Sequence, residues 1–206
     1  MNRFTPLKAI SLLALLASST ASATTNNYNF VSFAAGYYEA RHEDYNISED
    51  ATDIFVQGSK LLNKELIFTG DYEGSFVDQD NYDVQQHLIR MGLDYRAELT
   101  SNLDLFFGGK VGYVYSKFEA EHSSYEDDSS DFIYGPHIGL KSTINKLELN
   151  ATYGYYLGAD DDVNEAKAGF IYNINKKVGF GLSYRYQEAS DLYSNTYLAE
   201  VRLKFQ

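Results

Sequence analysis

With no cysteine among 206 residues, the chemistry open to this chain falls to its histidines, serines and carboxylates. A thiol nucleophile, a cysteine metal site and a disulfide framework are excluded. The histidines are His42, His87, His122 and His137. In His122-Ser123-Ser124 a base and a hydroxyl stand two residues apart. Such a pair needs an orienting acid within hydrogen-bond reach before the serine becomes a nucleophile. Asp160-Asp161-Asp162 groups three carboxylates that could serve acid–base chemistry beside a histidine. That triplet with Asn164, and Glu126-Asp127-Asp128 with Asp131, offers oxygens to a hard cation such as calcium. Neither follows the EF-hand spacing, and both are read as hydrated acidic loops. No catalytic, cofactor-binding or metal-binding residue is assigned, and no catalysis is expected.

The elements that would position these groups are strands. From Tyr28 onward, extended stretches fall at about 28–40, 50–61, 64–77, 82–96, 103–117, 132–144, 147–158, 165–174, 177–187 and 195–205, separated by turn signals. Side chains alternate along a strand with a period of two. In the last stretch Tyr197, Ala199, Val201, Leu203 and Phe205 share one face, and Thr196, Leu198, Glu200, Arg202 and Lys204 the other. In the third, Leu66, Phe68, Gly70, Tyr72 and Phe76 oppose Glu65, Thr69, Asp71, Glu73 and Ser75. The fifth and ninth repeat the pattern. The first two are less regular, with Phe33 and Phe55 on faces otherwise polar.

A greasy outer face and a charged inner one suit a transmembrane antiparallel up-and-down β-barrel. The connections agree. Tight turns at Leu62-Asn63, Thr100-Ser101-Asn102, Asn145-Lys146 and Asn175-Lys176 alternate with longer polar loops at about 41–49, 78–81, 118–131, 159–164 and 188–194. Outer-membrane barrels pair short periplasmic turns with longer external loops. The count is ten strands, with eight as the alternative. Residues 1–23, two cations, a short apolar run and Ala21-Ser22-Ala23, have the form of a cleavable signal peptide. Residues 24–206 then make one barrel domain, with both ends in the periplasm. A formal net charge of −12 disfavours nucleic acid as a partner.

The signal-like start, the meander and the closing Tyr197-Leu198-Ala199-Glu200-Val201-Arg202-Leu203-Lys204-Phe205 resemble the small OmpA-like outer-membrane β-barrel proteins of Gram-negative bacteria. The resemblance covers nearly all of the mature chain. It implies the cell outer membrane as location, contact with outer-membrane lipid and lipopolysaccharide, and handling by the barrel-assembly machinery during insertion. That machinery reads a terminal aromatic in the family; here Phe205 is followed by Gln206. A monomer is expected, because a closed barrel has no free edge to pair through. Among enzymatic barrels, resemblance to omptin-type proteases would imply paired aspartates, which Asp160-Asp161-Asp162 could supply, with an Asp–His pair at the external rim, and lipid A deacylases share the histidine–serine spacing of His122 and Ser124. His87 is expected to face lipid and His137 the lumen, both poor positions for a surface base.

Followed inward, the alternation puts Glu39, Glu65, Asp71, Glu73, Asp94, Asp104, Glu148, Glu165 and Glu200 in the lumen against Arg90, Arg96, Lys110, Lys141, Lys167, Arg185, Arg202 and Lys204. Unpaired buried charge is costly, so a cross-braced interior is expected. Barrels of about eight strands are filled by side chains, whereas open channels belong to about sixteen. Tyr37, Tyr38, Tyr72, Tyr113, Tyr115, Tyr134, Tyr155, Tyr156, Tyr184 and Tyr186 are expected at the external aromatic girdle, and Tyr28, Phe30, Tyr95, Tyr172 and Phe205 at the periplasmic one. The expected role is structural or surface-interacting, with a mostly filled lumen and acidic external loops. The alternatives are a narrow porin-like channel for small solutes and a surface hydrolase.

Overall fold

Alternating aromatic or β-branched and polar residues favour a sheet with one apolar and one polar face. In the computed structural model, which describes residues 26–42, 48–79, 82–120, 126–158, 162–190 and 192–205, ten such stretches form strands. They are β1 (Phe30–His42), β2 (Ser48–Leu61), β3 (Leu66–Gln79), β4 (Tyr82–Thr100), β5 (Leu103–Ala120), β6 (Glu126–Ile144), β7 (Leu147–Tyr156), β8 (Val163–Asn173), β9 (Val178–Ala189) and β10 (Leu192–Lys204). Each pairs antiparallel with its sequence neighbours, and β1 pairs with β10 from Phe30↔Lys204 to His42↔Leu192, closing the barrel. Ten strands, not eight, is the count. The signal-peptide residues lie outside the described part.

Every strand contributes a large half-exposed apolar side chain to the outer surface: Phe33, Ile54, Phe68, Ile89, Phe107, Ile138, Tyr153, Phe170, Leu182 and Leu203 in order. In water such a continuous band would be an aggregation surface; against hydrocarbon it is the stable arrangement. The tight turn at Asn145-Lys146 holds Asn145 at φ 57°, a left-handed conformation that asparagine tolerates through its short polar side chain. The turn begun by Leu62-Asn63 takes residues 62–65 and that at Asn175-Lys176 takes 174–177.

At the other end the strands run further than expected. β5 continues to Ala120 and β6 begins at Glu126, so Asp127, Asp128 and Asp131 lie on a strand and not in the anticipated 118–131 loop. Polar, serine-rich sequence carries no apolar alternation, and hydrogen bonding to β5 extends the ladder regardless.

Several facings also differ from expectation. In β1 the even residues point inward, so Glu39 lies on the outer face beside Arg41, and Phe33 faces lipid. Glu65 is exposed in the turn before β3. Tyr28 and Phe30 are buried inside the barrel and not in a girdle, and Tyr156 is buried in the lumen. Tyr38 shares the inward face of β1. Tyr95, Tyr172 and Phe205 remain on the outer surface as expected.

Candidate functional site

Two regions bear chemistry: the charged lumen and the tall external wall. At the turn end of the lumen, the segment Asn26 to Asn29 leaves β1 and crosses to the opposite side of the barrel. Asn26 donates to the carbonyls of Asn102 (3.4 Å) and Lys141 (3.1 Å) and accepts from Thr143 Oγ1 (2.6 Å). Tyr28 donates to Asp104 Oδ2 (2.9 Å), and Lys141 Nζ donates to the Asn27 carbonyl. Since β5 and β6 stand opposite β1 in the strand order, this segment spans the mouth. Glu148 gathers Lys141 (3.2 Å), Arg202 (3.1 Å) and Lys204 beside it. Arg202 also pairs with Glu200 at 2.7 Å, and Arg96 with Asp104 at 2.7 Å.

Higher in the barrel, ion pairs run from wall to wall. Arg90 of β4 binds Asp71 (2.6 Å) and reaches Glu165 of β8 (3.0 Å). Lys110 binds the other oxygen of Asp71 at 2.7 Å. Arg185 of β9 crosses to Asp53 of β2 (2.6 Å) and to Glu73 of β3. Asp53 escapes the sequence reading because Phe55 shares its face and makes that face look apolar. The inward aromatics have a common cause. Arg90 lies 5.2 Å from the Tyr156 ring centre, Arg202 4.0 Å from Phe30, Lys141 4.6 Å from Tyr28 and Lys167 3.9 Å from Phe55. Ring faces attract cations that have left water.

Within the described lumen, eight carboxylates (Asp53, Asp71, Glu73, Asp94, Asp104, Glu148, Glu165, Glu200) face eight fixed cations (Arg90, Arg96, Lys110, Lys141, Lys167, Arg185, Arg202, Lys204). A cavity of about 90 Å³ lies among them, bounded by Tyr28 and Phe30 on one side and by Arg90, Glu165 and Phe55 on another. His137 also lines it, with Nε2 2.8 Å from Asp94 Oδ1. The two residues stand on β6 and β4 and meet across β5 at Gly108, where a Cβ would lie 2.3 Å from Asp94 Oδ1 and 2.0 Å from the Leu93 carbonyl oxygen.

The external wall comes from unequal strand lengths. β7 ends at Tyr156 and β8 starts at Val163, whereas β6 extends back to Glu126. A final bridge joins Tyr134 to Leu157, the Tyr134 N–H donating at 3.0 Å. Beyond it, Glu126 to Ile133 pair with β5 alone among the described residues. Pro136 interrupts the ladder toward β7 just below, because proline has no N–H to donate. A proline inside an expected strand is the sequence signal that could have located this edge. Eight residues of edge amount to roughly 26 Å of strand at about 3.3 Å each. In an antiparallel ladder alternate residues hydrogen-bond to opposite sides, so the main-chain groups of Asp128, Ser130 and Phe132 face the open side with Tyr134. The Phe132 N–H donates to Asp131 Oδ1 at 2.6 Å.

The candidate catalytic and metal groups are not brought together among the described residues. His122-Ser123-Ser124 and Asp160-Asp161 lie outside them. Asp162 accepts from the Tyr155 hydroxyl and Asn164 from Tyr153 at 2.8 Å. His87 is on the outer face, its Nδ1 2.9 Å from the Tyr72 hydroxyl and its ring stacked against Tyr72 and Tyr115. That is the packing of an interfacial aromatic girdle. No group of three or more His, Asp or Glu side chains among the described residues has the geometry to hold a metal ion.

A closed antiparallel barrel with an apolar outside and a charged inside is the transmembrane architecture of the bacterial outer membrane. No family model and no curated sequence matches the chain. Among solved structures it is similar to the outer membrane protease OmpT from Escherichia coli, at 12% identity and TM-score 0.55, over 91% of this chain and 99% of that one. It is also similar to the translocator domain of the autotransporter NalP from Neisseria meningitidis (10% identity, TM-score 0.50, 98% of this chain and 97% of that one). The β domain of the Bordetella autotransporter BrkA is a third (8% identity, TM-score 0.51, 85% and 99%). At such identities the likeness is one of fold: an outer-membrane β-barrel, which places the protein in the outer membrane.

Proposed function

We propose that this is a small OmpA-like barrel whose role is contact at the cell surface, made through the open edge of β6, with a lumen that does not conduct. The observation that carries the reading is the strand edge from Glu126 to Ile133, which among the described residues pairs with β5 alone and carries Asp127 and Asp128 exposed on it. An unpaired strand edge recruits an extended segment by main-chain hydrogen bonds, and side chains choose the partner. Asp127 and Asp128 favour a cationic extended segment and disfavour a second copy of the same acidic edge. The ion pairs that cross the lumen, Arg90–Glu165 and Arg185–Glu73, support the non-conducting half of the proposal.

A hydrolase is not proposed. The fold shared with OmpT carries no activity over at 12% identity. The Asp–His pair found among the described residues, Asp94 and His137, is buried inside the barrel and not at the external rim.

The test uses Ser130→Pro, which removes an N–H facing the open side and leaves the β5 ladder its donors. Cells displaying this variant should bind an immobilised lysine-rich extended peptide at least about tenfold more weakly than cells displaying the parent protein. Ser116→Ala, on the inner face of β5, should change nothing. Equal binding by the proline variant would remove the edge from the account.

A further inference from the structure

We propose that the lumen cavity is a binding site for a small zwitterion, of the size and charge pattern of glycine, alanine or serine.

The balance of lumen charges is the starting point. Seven of the eight carboxylates have an arginine or lysine partner, and seven of the eight cations have a carboxylate. The two left over are Asp94 and Lys167, and both line the same cavity. Asp94 has no arginine or lysine beside it: His137 Nε2 lies 2.8 Å from its Oδ1, and its Oδ2 has no hydrogen-bond partner among the described residues. It is 1% exposed. Lys167 makes no ion pair among the described residues; its ammonium rests on the Phe55 ring, 3.9 Å from the centre. A buried carboxylate and a half-buried ammonium, neither with an arginine, lysine or carboxylate paired to it, are each expensive. One ligand with an ammonium at one end and a carboxylate at the other would complete both.

The remaining lining suits such a guest. His137 Nδ1 and Thr69 Oγ1 also lack partners, are buried, and border the cavity. They supply further hydrogen bonds to either pole. Phe106, on the adjacent inward position of β5, adds an apolar surface. A volume of about 90 Å³ accommodates roughly six to nine water-sized spheres at about 10–15 Å³ each, enough for a short amino acid and too little for a long one. Phe30 and Tyr28 stand at the turn end of the cavity, beneath the crossing segment that the Tyr28–Asp104 hydrogen bond holds in place.

Equilibrium dialysis of labelled glycine against the full mature barrel, refolded in detergent with glycine present, tests this. The expected result is saturable binding at one glycine per barrel, with acetate and methylamine each competing at least about tenfold more weakly. Lys167→Gln removes no ion pair, so it should keep heat-modifiable gel migration and lose at least about tenfold in glycine affinity. Asp94→Asn should do the same, and Lys60→Gln on the outer face should bind like the parent. No saturable binding to the folded parent protein, or equal binding by parent and Lys167→Gln, overturns the proposal. Acetate competing as well as glycine also overturns it, by reducing the site to a simple anion pocket at Lys167.

Discussion

The lumen and the external wall are both rich in charge, yet they use it in opposite ways. In the lumen, opposite signs are equal in number and nearly all locked into pairs such as Arg185–Asp53 at 2.6 Å. On the wall, Asp127, Asp128 and Asp131 have one sign and stand exposed or half-exposed on a strand edge. Buried pairs are costly to break because the survivor is stranded away from water. Exposed charges are hydrated and contribute little to stability. The same residue types therefore brace the barrel in one place and leave it open to partners in the other.

The contrast can be broken most severely inside. Arg185→Met strands Asp53 and Glu73 together and should destabilise the barrel by about 3–5 kcal/mol, read from urea unfolding followed by heat-modifiable gel migration. Gly108→Val forces a side chain against Asp94 and the Leu93 carbonyl. It should cost about 1–3 kcal/mol in the same assay. Asn26→Ala removes the tie between the crossing segment and Asn102, Lys141 and Thr143. It should cost about 1–3 kcal/mol, or less if water replaces the lost partner, and amide exchange should rise at Tyr28. Asp127→Asn with Asp128→Asn on the wall should shift stability by no more than about 0.5 kcal/mol, while weakening contact with cationic peptides. If the wall pair proved as destabilising as Arg185→Met, the distinction between the regions would be lost.

The sequence shows the barrel most clearly where polarity alternates sharply. In β10, Glu200, Arg202 and Lys204 interleave with Ala199, Val201 and Leu203, and the structure places both faces as that pattern requires. The lumen charges from Asp71 to Arg202 follow for the same reason. β1 is different, because Val31-Ser32-Phe33-Ala34-Ala35-Gly36 contains no charge to mark the inner face. Its parity is opposite to the one inferred from Glu39, and Tyr28 and Phe30 turn inward as seats for Lys141 and Arg202. Sequence polarity cannot distinguish an aromatic facing lipid from one facing a guanidinium. The wall was hidden for another reason. Its residues read as loop, and only pairing with β5 makes them strand. The cavity pair Asp94 and Lys167 was visible as two inward charges; that Asp94 has no arginine or lysine beside it, and Lys167 no carboxylate within ion-pair reach among the described residues, is a fact of distance.

Single-channel recording in planar bilayers tests the account most directly. The parent barrel should give no reproducible conductance steps, because Arg90–Glu165 and Arg185–Glu73 cross the lumen above the segment held by Asn26. Stable ohmic steps from the folded parent protein would contradict it.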